Sequence, residues 1–213
     1  MGFFDKIFGS KEEIEYKITL AKVSNPLIDK IDEIGEKEVR DFFKVILDAT
    51  ERSLRGILFM DPEEFNFKRE LTKEEIDFWL RKVSLALVAY SYYFFLVEEK
   101  SSFAQFSYEA YWHRMFNSYN KIFDENITID DINHYAAGLK EDTEKGYSKS
   151  GDIEKILELT SRDYKTLGAE LLHKIWKKEV SSNDKKALFL GTRIWQAHQQ
   201  IVQPFLLKLL SDY

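Results

Sequence analysis

The sequence predicts an all-α fold, a bundle of about six or seven helices around a central aromatic-rich helix pair. Three observations carry this. Breakers are scarce, with Pro 3 and Gly 9 in 213 residues, while the strong helix formers Glu, Lys and Leu abound. Apolar residues recur at helical rather than alternating spacing over most of the chain. Helix starts are marked by side chains that can accept from the unpaired N–H groups of a first turn.

Those start signals place the elements in order. Asn25-Pro26 offers a cap followed by proline at a first helical position. Thr72-x-x-Glu75 and Ser102-x-x-Gln105 have capping-box spacing, and Thr128, Asp152 and Ser182 stand as single caps. The resulting helices run over roughly 12–23, 26–59, 73–99, 102–123, 130–146, 152–180 and 183–211, with a break expected near Gly35. Within the first, Ile14, Tyr16, Ile18 and Leu20 alternate as a strand would. The helical context and the lack of a partner strand favour a helix. Pro204 cannot donate to the carbonyl of Gln200, so a kink or restart is expected in the last helix. The candidate linkers, 61–71 and 146–151, are short. The organisation expected is therefore an amphipathic segment over residues 1–10 and a single α-helical domain over 11–213.

The helix from 73 is apolar on all sides. Its uncharged run from Val83 to Val97 lies between Arg81-Lys82 and Glu98-Glu99. At about 1.5 Å per residue it spans roughly 22 Å, short of the roughly 30 Å of a bilayer core. A central core helix is expected and a transmembrane span is not. The next helix carries Phe103, Phe106, Tyr108, Tyr111, Trp112, Phe116 and Tyr119, with Glu109, His113, Asn117 and Asn120 in one polar arc. That arc reads as a solvated strip. Its alternative use is ligand binding, in which Glu109, His113, Tyr111 and Asn117 orient a small apolar or aromatic molecule beneath residues 90–116.

Several chemistries lack their residues. Without cysteine there are no disulfides, thiolate metal sites or cysteine nucleophiles. A net charge of -6 gives no overall attraction to phosphates, so nucleic acid is not an expected partner. The lysines at 174, 177, 178, 185 and 186 around Trp176 read as a solvated face beside a core tryptophan. Glu170-Leu-Leu-His173 has the spacing of a di-iron bundle site, but His173 lies opposite its helix's apolar stripe, as His134 does after Asp131. From Asp124, alternating Asp124, Asn126 and Thr128 have the start of a calcium loop, yet Ile129 stands where glycine must turn and Tyr135 where glutamate must close. No phosphate loop, nucleophile elbow or H-E-x-x-H is present. His198, on a face with Ile194, Trp195, Ile201, Val202 and Phe205, reads as a packed core histidine. No metal or cofactor is expected.

The extreme N-terminus is the remaining signal. In MGFFDKIFGS, Phe3, Phe4, Ile7 and Phe8 share one arc and Gly9-Ser10 offers a hinge. The segment lacks the basic start and long apolar core of a secretory signal, and Lys6 stands where myristoylation wants Ser or Thr. The expectation is a non-enzymatic cytoplasmic interaction protein that binds a protein partner or its own copy through Phe3, Phe4, Ile7 and Phe8 and an aromatic surface. Docking of these four side chains on the protein's own bundle is an alternative use of the same face, and peripheral membrane contact through residues 1–9 is another. A metal-dependent helical-bundle enzyme is the minority alternative.

Overall fold

A computed structural model describes residues 11–59, 67, 70–98, 105–128, 132, 167–178 and 185–211. Among them, helices are the regular elements: α1 (Lys11–Asp32), α2 (Lys37–Phe59), α3 (Lys73–Glu98), α4 (Gln105–Phe123), α5 (167–176), α6 (Lys185–Ala197) and α7 (Gln203–Ser211). The fold is an all-α bundle, as the sequence predicts. The expected helix over 130–146, most of that over 152–180, and the caps Ser102, Asp152 and Ser182 lie outside the described residues.

The first helix differs from its expected bounds. It does not restart at Asn25-Pro26 but runs through Pro26 to Asp32. Val23, Leu27 and Ile31 continue one buried stripe across the proline, and Lys22, whose carbonyl loses its partner, is exposed. Continuous packing on one face with a solvated defect on the other keeps the helix intact. The chain breaks instead around Gly35, as anticipated. There the Arg40 guanidinium donates to the Ile34 carbonyl (3.2 Å).

α2 and α3 form the centre. α2 buries Val39, Phe42, Phe43, Ile46, Leu47, Leu54, Ile57 and Leu58. α3 opens on the predicted capping box: the Glu75 N–H donates to Thr72 Oγ1 (3.2 Å) and the Thr72 N–H to Glu75 Oε2 (2.9 Å). From Val83 to Ser91 every residue is buried, so this helix is apolar all round because other helices surround it. Small polar residues pin the pair. Thr50 Oγ1 and Ser84 Oγ lie 3.2 Å apart, and the Thr50 carbonyl accepts from Ser53 Oγ (2.8 Å) and Trp79 Nε1 (3.2 Å).

α4 turns Trp112, Met115, Tyr119, Ile122 and Phe123 inward. It ends at Asp124 in the left-handed region (φ 52°), with the Glu125 N–H returning to the Asn120 carbonyl (3.0 Å). Two cations from distant helices meet its final carbonyls. Lys30 Nζ donates to the Ile122 carbonyl (3.2 Å) and the Arg81 guanidinium to that of Phe123, which complements the negative end of the helix dipole. Asp124 is paired to Lys30 at 2.6 Å, which holds its carboxyl below the usual range. Asn120 clamps the loop by accepting from the Ile127 N–H (2.9 Å). Asp124 is thus held by a lysine, and Ile129 and Tyr135 lie outside the described residues.

α5 crosses α6 closely: a Cβ on Gly168 would stand 1.9 Å from the Ala187 carbonyl oxygen. α6 leads into a π-helical turn, His198–Val202, where the Gln203 N–H reaches back to the His198 carbonyl. α7 follows with Pro204 exposed near its start. The expected irregularity at Pro204 thus takes the form of a π-turn just before it.

Candidate interaction surface

α1 has two apolar faces. Successive alternate residues on a helix are about 200° apart, so the strand-like alternation of Ile14, Tyr16, Ile18 and Leu20 places two on each side. Tyr16 turns inward, is buried, and packs on Phe59 (5.3 Å). Ile14 and Ile18 turn outward with exposures of 39% and 51%, joined further along the helix by Ile28 at 38%. Leu207, at 48%, is the other exposed large apolar side chain among the described residues. Ala21 and Asn25 complete the outward stripe between Ile18 and Ile28. The alternation was the sequence signal of this surface, and it is a helical one.

The inward side of α1 holds a polar cluster that the sequence did not reveal. The Ser24 hydroxyl hydrogen-bonds the Glu51 carboxyl, whose pKa burial pushes up from its usual value. Burial and the nearby Glu51 charge raise the Tyr16 phenol. Tyr16 OH and Glu51 Oε1 are buried without a hydrogen-bond partner among the described residues. Around them, Glu13 bridges Arg55 (2.8 Å) and Lys17 (3.3 Å), closing the rim between α1 and α2.

On α4, His113 and Asn117 are exposed and Tyr111 is half-buried against Trp112, ring centroids 5.6 Å apart. The Glu109 side chain lies outside the described residues, as do Phe3, Phe4, Ile7 and Phe8. The rings around 90–116 that are described make a packed network: Tyr92 meets Trp112 at 5.3 Å and Phe116 at 5.8 Å, and Phe42 meets Trp112 edge-on at 6.2 Å. Such edge-to-face geometry is that of aromatic cores.

The remaining candidates are separated. His173 is exposed and Glu170 pairs with Lys82 at 3.3 Å; Asp131 and His134 lie outside the described residues. Trp176 is buried against Phe67 (4.8 Å) and Trp79 (6.2 Å), so it is core rather than a stacking platform for bases. His198 is 1% exposed. Its Nε2 is 3.4 Å from Ser91 Oγ, and Ser91 already donates to the Leu87 carbonyl (2.8 Å), so the imidazole donates here. Among the described residues no group of three or more His, Asp or Glu could hold a metal ion, and no helix is long and apolar enough to cross a membrane. Comparison with known protein families, with curated proteins and with solved structures finds no match for this chain.

Proposed function

We propose that this chain is a non-enzymatic, cytoplasmic α-helical interaction protein, which binds a protein partner or its own copy through Phe3, Phe4, Ile7 and Phe8 together with the outward stripe of α1. The observation that carries the reading is the placement of Ile14, Ile18 and Ile28 on the solvent side of the helix that directly follows the N-terminal segment. Isolated exposed apolar residues are ordinary, but an aligned set on α1, preceded in the sequence by four more large apolar residues, is the composition of a docking face. The aromatic residues of 90–116 contribute half-buried rings, Tyr111 and Phe116, as a secondary surface. The exposure of His113 and Asn117 supports a solvated strip over a ligand-orienting one.

Sedimentation velocity and partner capture with the full chain, a variant lacking residues 1–9, and Ile18→Glu test this. Both variants keep the wild-type melting temperature and lose association. Unchanged association in both contradicts the reading.

A further inference from the structure

We propose that the first part of α1, residues 11–22, is a flap that opens about the turn from Lys22 to Pro26 while the rest of the helix stays docked. The two parts are held to the bundle differently. Over 11–22 the one buried residue is Tyr16, with Leu20 partly buried against the core. Over 23–32, Val23, Ser24, Leu27 and Ile31 are all buried. That end is also pinned, by Lys30 on the Ile122 carbonyl (3.2 Å) and on Asp124 (2.6 Å), and by Asp32 on Lys44 (2.7 Å). Segments with few buried apolar contacts open at the lowest cost, ahead of the core they rest on.

The hinge is written at the proline. Pro26 has no N–H to give the Lys22 carbonyl, and Asn25 before it is biased away from helical backbone. Lys22 and Pro26 are both exposed, so water meets this turn as it unwinds. What lies beneath the flap opposes closure. Tyr16 OH and Glu51 Oε1 are buried without a hydrogen-bond partner among the described residues, and each forfeits its bond to water when the flap is down. Glu13 is the latch: its Oε1 accepts from Arg55 of α2 through Nε (3.2 Å) and Nη2 (2.8 Å). Once lifted, residues 11–22 fall at the short end of the roughly 12–15 residues below which an isolated helix is marginal in water, so the opened flap also unwinds. Opening uncovers Phe59, on which Tyr16 packs at 5.3 Å. The flap stands independently of the interaction reading above, since it describes α1 whatever the apolar segment before it binds.

Amide hydrogen exchange of the full chain at one pH, resolved by NMR, tests this. The amides of 15–22 are expected to share a common rate several-fold above that of 27–32, with the step falling at Pro26. Arg55→Ala is expected to raise the 15–22 rate roughly two- to fivefold, the range of an exposed ion pair, and to leave 27–32 unchanged. Glu51→Gln and Pro26→Ala are expected to slow it several-fold, the first by removing the charge under the flap and the second by restoring an N–H to the Lys22 carbonyl. A rate that falls smoothly along the helix from Lys11, as in the fraying of a free end, overturns the flap. Equal rates on the two sides of Pro26, or a 15–22 rate that any one of the three variants leaves unmoved, overturn it as well.

Discussion

His198 lies face to face with Trp195, ring planes 13° apart and centroids 5.5 Å apart, where the helix widens into its π-turn. Tyr90 and Phe94 close the cage edge-on at 5.8 and 6.4 Å. Nδ1 has no hydrogen-bond partner among the described residues. Full burial therefore pushes the imidazole pKa down from 6.5 to about 3.

A histidine that folds neutral makes the protein sensitive to acid. Its folded pKa is depressed, so its contribution is complete above the unfolded value of 6.5 and is lost as pH falls from there towards about 3. The unfolded chain takes up one more proton, a slope of up to about 1.4 kcal/mol per pH unit and on the order of 5 kcal/mol across the window. His198→Leu is predicted to remove this component, while Ser91 keeps its bond to Leu87. Urea unfolding at several pH values reads it as the difference between wild type and variant. A difference independent of pH contradicts the assignment.

Two glycines at helix positions, Gly168 and Gly56, predict opposite signs. Gly168→Ala would drive a methyl into the Ala187 backbone at 1.9 Å. That obstacle cannot rotate away, so the loss is at least the roughly 1–3 kcal/mol of ordinary overpacking. Gly56, inside α2, has nothing within 4 Å of the place a Cβ would take. Gly56→Ala should add about 0.5–1 kcal/mol by removing backbone freedom from the unfolded chain. Thermal melts of both variants check the pair.

Glu51 works against folding when ionised. Its folded pKa is raised, chiefly by burial, so protonation favours the folded state and the cost of the charged form is present at neutral pH. Glu51→Gln keeps an acceptor for Ser24 without the charge. It is predicted to raise the melting temperature at pH 7, with the gain shrinking as pH falls towards the carboxylate range. A gain that is constant with pH would assign the effect to packing instead.

Local chemistry was legible and distant contacts were not. The Thr72–Glu75 box is written within four residues and formed as read. The apolar run of α3 announced a surrounded helix, and His198 a packed one. Pro26 misled because its cap signal is local, whereas the stripe joining Val23 to Leu27 and Ile31 depends on what α1 packs against. The hold of Lys30 and Arg81 on the end of α4, the Gly168–Ala187 crossing and the Ser24–Glu51 pair join residues far apart in sequence. The outward stripe of α1 was visible as an alternation, but only the burial of Tyr16 against the exposure of Ile18 shows which face it is.

Native mass spectrometry of the untagged protein, purified gently from its own source, decides between an interaction protein with a filled aromatic interior and a ligand carrier. The expected spectrum holds the bare chain mass together with whole-number multiples of it or a complex with another protein. A small added mass, released on denaturation and weakened by Tyr111→Ala or His113→Ala without loss of melting temperature, would contradict the interaction reading and assign residues 90–116 to a ligand.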